Sequence, residues 1–138
     1  MSFQVRHWNR LKLPKKHVLV CEDFLNCQAV IAQHFSEVFE HQGEVVFSYV
    51  SGGLAAAGLI RFSSIHLILL DFDMPEGNGE DLMNWLREWK YLPDLPVITF
   101  SGLPQNNDKL MTLGAKHNFR KDEVIAGKAD ELIKEILK

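Results

Sequence analysis

The stretch Ile65-His66-Leu67-Ile68-Leu69-Leu70-Asp71-Phe72-Asp73-Met74-Pro75-Glu76-Gly77-Asn78-Gly79 decides the reading of the chain. Its apolar run stops at an aspartate, and a proline and glycines follow at once. The run is too short for a typical globular helix and is bounded by turn formers, so it reads as a strand buried on both faces. A carboxylate at the carboxyl end of such a strand stands where open α/β sheets place their ligands. Pro75, Gly77 and Gly79 let the chain turn sharply before the next helix. Taken alone, the segment reads equally well as a core strand ending in a polar turn. The company Asp71 keeps decides between the two.

Upstream, His17-Val18-Leu19-Val20-Cys21 predicts a strand ending at Glu22-Asp23. Phe24, Cys27, Ile31, Phe35 and Val38 then recur at helical spacing and predict one buried face, with Asp23 or Asn26 as the cap and Gly43 as the stop. Residues 44–50 read as a second strand, and Ser51-Gly52-Gly53 as a turn into an alanine-rich helix ending near Arg61. Downstream, Leu82, Trp85, Leu86 and Trp89 mark a helix face, the tryptophans as core or surface cover. A strand over 97–100 ends at Ser101-Gly102, and a weaker helix runs from about 105 to 113, stopped by Gly114. A short polar strand over 116–120 suits a sheet edge and leads to Lys121. Asp122 reads as the cap of a last helix lined by Ile125, Ala129, Leu132 and Ile136.

Five strands alternating with five helices predict a parallel sheet with helices on both faces and right-handed crossovers. Glu22, Asp23, Asp71, Ser101 and Lys121 all follow strands, so a parallel sheet brings them to one edge. Read one at a time, they are a solvated turn and cap, a turn hydroxyl and a surface lysine. Their convergence is what points to chemistry.

The chain has 138 residues, one domain's length, with 46% hydrophobic and 24% charged residues, as in ordinary globular proteins. No apolar run approaches the roughly 20 residues that span a bilayer, and the basic start lacks a signal-peptide core. Cys21 and Cys27 read as buried free thiols in a reducing cytosol rather than a redox pair. The net charge of −3 is uneven, because residues 1–16 carry Arg6, Arg10, Lys12, Lys15 and Lys16 and no carboxylate. The acidic remainder argues against nucleic acid as the main direct partner. Residues 1–15 read as a basic extension with Phe3, Trp8 and Leu11 available to pack, and 16–138 as the folded domain. His34 and His41, about 10.5 Å apart along a helix axis, cannot share an ion. His66 reads as packed or hydrogen-bonded in its strand.

Three carboxylates brought together repel, and a divalent cation relieves this. All-oxygen ligands favour Mg²⁺ or a similar hard ion such as Mn²⁺. Lys121 offers a charge for a phosphoryl oxygen, Ser101 a hydroxyl, and Gly102 room beside it. A carboxylate set between a metal and a lysine can attack phosphorus and hold the product as an acyl phosphate.

With these residues, the chain resembles the response-regulator receiver domain of two-component signalling. The resemblance rests on Glu22-Asp23, Asp71-x-x-Met74-Pro75, Gly79, Ser101-Gly102 and Lys121, each after its strand or opening its helix. It implies the flavodoxin-like (βα)5 fold with sheet order 2-1-3-4-5. It further implies that Asp71 accepts phosphate from a histidine kinase or histidine phosphotransfer protein. Glu22, Asp23, Asp71 and the main-chain carbonyl of Asp73 would bind Mg²⁺, with Ser101 as the switch hydroxyl and Lys121 as its charge partner. A cytoplasmic phosphoprotein follows, a carrier of phosphate rather than a turnover enzyme. It has no membrane span, homodimerisation is open to it, and it signals to a downstream protein effector through its fourth helix, fifth strand and fifth helix.

Three positions depart from the family pattern. Asn118 stands where an aromatic switch ring is usual, with Phe119 or Phe100 as substitutes. Asp122 replaces the usual proline, which disfavours a cis bond there. Asp73 adds a fourth carboxylate near the pocket mouth. Two other readings remain: a phosphorylation-independent binding module of the same fold, and a haloacid-dehalogenase-like phosphatase. The phosphatase reading rests on Asp71-Phe72-Asp73, although that motif is mid-chain here and the acidic pair precedes it.

Overall fold

In strand β3 (Leu67–Leu70) every side chain is buried, and alternate residues serve opposite cores. The coordinates are a computed structural model that describes residues 15–39 and 44–138. Ile68 and Leu70 join one cluster with Leu19, Cys21, Ala56, Ile60, Leu82, Leu86 and Leu110. Leu67 and Leu69 join the other with Val18, Val20, Ile31, Phe35, Phe39, Ile98 and Ile133. This division is the physical origin of the unbroken apolar run: a strand with no solvent face has no polar positions.

Around β3 run β1 (Lys16–Cys21), β2 (Val45–Val50), β4 (Val97–Thr99) and β5 (His117–Asn118). All pair in parallel, in the order β2-β1-β3-β4-β5 expected from the sequence. Helices α2 (Gly53–Phe62), α3 (Gly79–Glu88) and α4 (Pro104–Thr112) supply the first cluster. Helix α1 (Leu25–Phe39) and the pair α5 (Lys121–Ile125) and α6 (Asp130–Ile136) supply the second.

Several expectations need correction. Helix α1 begins at Leu25, so Asn26 lies inside it, and Phe24 falls before the helix and is 60% exposed. Strand β5 is two residues long, shorter than the 116–120 reading, and lies at the sheet edge as expected. The last helix is two helices. Gly127, at φ +84°, sits in the break between them. The break moves the buried face to Val124, Ala129, Ile133 and Leu137 and leaves Ile125, Leu132 and Ile136 half-buried. Asp122 is the second residue of α5 and caps nothing there; Glu123 accepts the Arg120 amide at 2.8 Å instead. A cis bond occurs at Leu92-Pro93.

Among the described residues, His17, His34 and His66 serve the scaffold. His17 donates its amide to His66 Nδ1 at 3.0 Å, and its ring meets Ser48 Oγ at 2.6 Å. His34 bridges α1 to Asp130 of α6 at 2.8 Å. Trp85 and Trp89 stack at 6.2 Å, half-buried, and the Arg61 guanidinium lies over the Trp89 ring. Cys21 is buried and Cys27 half-buried, both as free thiols. Among the described residues no helix is long and apolar enough to cross a membrane. The expectations for Phe3, Trp8, Leu11, His41, Gly43 and the basic extension up to residue 14 lie outside the described residues.

Candidate functional site

Strand pairing brings the acidic residues together. The Asp71 amide donates to the Cys21 carbonyl at 3.1 Å, and the Glu22 amide to Val50 at 3.0 Å. Glu22 and Asp71 therefore leave adjacent strands at the same level. Carboxylate oxygens of Glu22, Asp23 and Asp71 all lie within 4.8 Å of one another. Glu22 is fully buried and Asp71 is 2% exposed, while Asp23 faces solvent.

Lys121 closes the pocket from the start of α5. Its Nζ lies 3.0 Å from Asp71 Oδ2 and 3.1 Å from Glu22 Oε1. Asp71 Oδ1 accepts the Phe72 amide at 2.8 Å, and Glu22 Oε1 accepts the Phe24 amide at 3.2 Å. Glu22 Oε2 also lies 3.1 Å from Lys121 Nζ but outside hydrogen-bonding geometry, and it is buried without a hydrogen-bond partner. One ammonium thus faces two buried carboxylates, with a third at the rim.

The electrostatics follow. Burial, and then the charge of Asp71, push the Glu22 carboxyl up to about 7 despite Lys121. Burial also raises Asp71, with Lys121 opposing it. Burial pulls the Lys121 ammonium down, but its bonds to Asp71 and then Glu22 outweigh that and leave it raised. A buried carboxylate oxygen without a donor, beside two more carboxylates, is a donor set that suits a hard divalent cation. The residues present fit Mg²⁺ or Mn²⁺.

The loop after Asp71 is held at both ends. Its far end returns to the strand, the Gly79 amide donating to Phe72 at 2.7 Å. A Cβ at Gly79 would stand 2.7 Å from the Asp71 carbonyl oxygen, so the close approach requires glycine. Asn78 and Asp81 then cap α3 reciprocally, at 2.9 and 3.0 Å. The middle of the loop hangs from α2: Gly53 and Leu54 amides donate to the Gly77 and Glu76 carbonyls at 2.8 and 2.9 Å. A Cβ on Gly53 would collide with the Gly77 carbonyl. What reads in sequence as a turn, Ser51-Gly52-Gly53, is the anchor of the pocket's loop.

Ser101 is buried at the end of β4, with its Oγ accepting the Leu103 amide at 3.3 Å. The space beside Gly102 is open. Asp73 is exposed, and its side chain is outside the carboxylate trio. At the aromatic-switch position Asn118 faces solvent, whereas Phe100 is buried and Phe119 half-buried against the same core. Sequence reasoning missed Asn107, a buried amide in the first turn of α4 that bonds to Ser101 on both sides. The available signal was a polar residue three positions before Leu110, on the helix face that packs inward.

A five-stranded parallel sheet with an acidic pocket at its carboxyl edge defines the class, and comparison with known proteins defines the family. Residues 18–136 match the response regulator receiver domain model. The chain belongs to that family, the receiver domains of two-component signalling. Among curated proteins it is similar to the rice (Oryza sativa subsp. indica) two-component response regulator ORR3, with 31% identity over 88 residues. That match covers 64% of each chain, so this chain spans somewhat less than two thirds of the rice relative. It is 28% identical over 97 residues to the polar-differentiation response regulator DivK of Brucella anthropi, covering 70% of this chain and 74% of DivK. Among solved structures, the Francisella response regulator 1452 receiver domain superposes with a TM-score of 0.65 at 28% identity, over 88% of this chain and 98% of that one.

Proposed function

We propose that the chain is a phosphoacceptor response regulator. Asp71 takes a phosphoryl group from a phosphohistidine of a histidine kinase or histidine phosphotransfer protein. The observation that carries this is the pairing of a nearly inaccessible Asp71 with Lys121 at 3.0 Å, beside Glu22 and Asp23. Such a buried carboxylate cluster lowers stability unless it serves a ligand.

In the transfer, an Asp71 carboxylate oxygen forms a bond to phosphorus as the phosphorus–nitrogen bond to the donor imidazole breaks. The product is an acyl phosphate, and the imidazole leaves with its electron pair. Lys121 holds the acceptor carboxylate and offers its charge to a phosphoryl oxygen. The Phe72 amide fixes the other Asp71 oxygen, and Ser101 offers a hydroxyl from the neighbouring strand end. Mg²⁺ or Mn²⁺ would be held by Glu22, Asp23, Asp71 and the main-chain carbonyl of Asp73, and when bound it offsets negative charge on carboxylates and phosphoryl oxygens. Asp73, exposed at the pocket mouth, tunes metal affinity or phosphoryl lifetime.

On this reading the domain carries phosphate in the cytoplasm and has no turnover of its own beyond gaining and losing that group. Its output is contact with a protein effector, through the surface of α4, β5 and the last helix, here the pair α5 and α6, or with a second copy, and not with nucleic acid. The basic residues before β1 are a partner-specific addition. The exposure of Asn118 favours one second reading, a binding module of the same fold that signals without phosphorylation.

Acetyl-phosphate labelling with Mg²⁺ separates the two, run beside Asp71→Asn and a chelated control. An acid-stable, alkali-labile adduct that needs both Asp71 and Mg²⁺ supports the phosphoacceptor. No adduct on folded protein, from acetyl phosphate or a phosphorylated histidine phosphotransfer domain, supports the silent module.

A further inference from the structure

One buried polar side chain has no part in the chemistry above. Asn107 is 3% exposed, and all four hydrogen-bonding positions of its amide are filled. Oδ1 accepts from Thr99 Oγ1 at 2.7 Å and from the Ser101 amide at 2.8 Å. Nδ2 donates to the Ser101 carbonyl at 3.2 Å and to the Phe119 carbonyl at 3.0 Å. The partners come from the end of β4, from the peptide groups on both sides of Ser101, and from the residue after β5. An apolar side chain could fill this helix position beside Leu110, yet an amide sits there with no bond missing. Burying an amide is favourable only when each of its groups is met.

We propose that Asn107 is a positioning residue: it fixes Ser101 in its resting place and passes a displacement of Ser101 to β5 through the Phe119 carbonyl. The proposal rests on Asp71 being the phosphoacceptor. A Ser101 drawn toward a group on Asp71 pulls on two of the four bonds. The amide must then release them, leaving buried atoms unpaired, or follow and take Thr99 and Phe119 with it. The Phe119 ring packs on the cluster that holds Phe100 and Val124, so movement of its backbone is felt there. This gives the pocket a route to the edge strand in which the exposed Asn118 takes no part.

The test measures binding of beryllofluoride, a phosphoryl mimic, in Mg²⁺, together with the Phe119 amide resonance. The proteins are wild type, Asn107→Ala, Ser101→Ala and the double variant. Asn107→Ala frees Ser101 from its resting place, so binding tightens by about fivefold, the worth of one hydrogen bond. The Phe119 resonance no longer moves on binding, and both effects vanish when Ser101 is already alanine. Unchanged or weaker binding, or the same effect without the Ser101 hydroxyl, overturns the proposal. Should Asn107→Ala not fold, the isosteric Thr99→Val removes one bond to Asn107 while leaving its two bonds to Ser101, so it shifts both readouts the same way but less, by about twofold; no shift there also overturns it. Wild type that binds no beryllofluoride brings down the phosphoacceptor reading itself, and that failure is visible before any variant is compared.

Discussion

Lys121 Nζ stands 3.0 Å from Asp71 Oδ2, joining the first residue of α5 to the residue that follows β3. The same ammonium serves Glu22, which makes one partly exposed lysine the counter-charge for two buried carboxylates. Removing it leaves both uncompensated. Lys121→Met is expected to destabilise the metal-free protein by about 2 kcal/mol, less than a fully buried pair because solvent reaches the lysine. Urea unfolding with a chelator present measures it, and Mg²⁺ is expected to restore part of the loss.

Glu22 carries the opposite expectation. It is buried, faces Asp71, and leaves Oε2 without a donor. Glu22→Gln removes the repulsion at nearly constant volume and is expected to stabilise the metal-free protein by about 1 kcal/mol. Mg²⁺ affinity falls at least about tenfold, roughly the contribution of one charged ligand. Thermal melts across a Mg²⁺ titration read both numbers. A variant that is less stable yet binds as before contradicts the assignment of Glu22 to the metal.

Gly79 is constrained from outside the pocket. A methyl group there meets the Asp71 carbonyl oxygen at 2.7 Å and the Phe72 Cα at 3.0 Å. Gly79→Ala is expected to cost about 2 kcal/mol and to move the backbone that carries Asp71. Labelling of Asp71 slows more than the stability loss alone explains, as a comparison at matched folded fraction shows.

His17 supplies a pH dependence far from the chemistry. Burial, and then the neighbouring His66, lower it from its ordinary 6.5. A histidine depressed in the folded state leaves the unfolded chain the better proton binder. Its contribution is therefore complete above 6.5 and is lost as pH falls through the lower folded value. Wild type is expected to lose stability relative to His17→Gln between about pH 7.5 and 5. Unfolding curves for the pair that stay parallel over that range would show that His17 is not depressed.

The strand order and the acidic pocket were legible because each depends on local pattern. An apolar run that ends at a carboxylate fixes both a buried strand and the side of the sheet its acid occupies, so Glu22, Asp71 and Lys121 meet as the sequence predicts. Phe24 was misplaced because periodicity reports a helix face but not the residue at which the helix begins. Gly127 in a helical pattern resembles a tolerated glycine, yet its left-handed backbone ends α5. Asn107 has partners in two segments outside its own helix, the end of β4 and the residue after β5, and Gly53 reads as a turn residue until the Gly77 carbonyl stands against it. These features depend on contacts between distant segments, to which a single sequence offers no spacing rule.

The division of β3 between two cores has a consequence for how perturbations spread. Residues 68 and 70 report on the layer of α2, α3 and α4, while 67 and 69 report on that of α1, α5 and α6. A large-to-small change at Ile68 and one at Leu69 touch different neighbours although they adjoin in sequence. Their costs are set by different helices, and any coupling between them passes through the shared backbone. That backbone ends at Asp71. The residue proposed to receive the signal is thus attached to a central strand on which both layers bear directly, and a shift of its main chain presses on the two sides of the molecule at once.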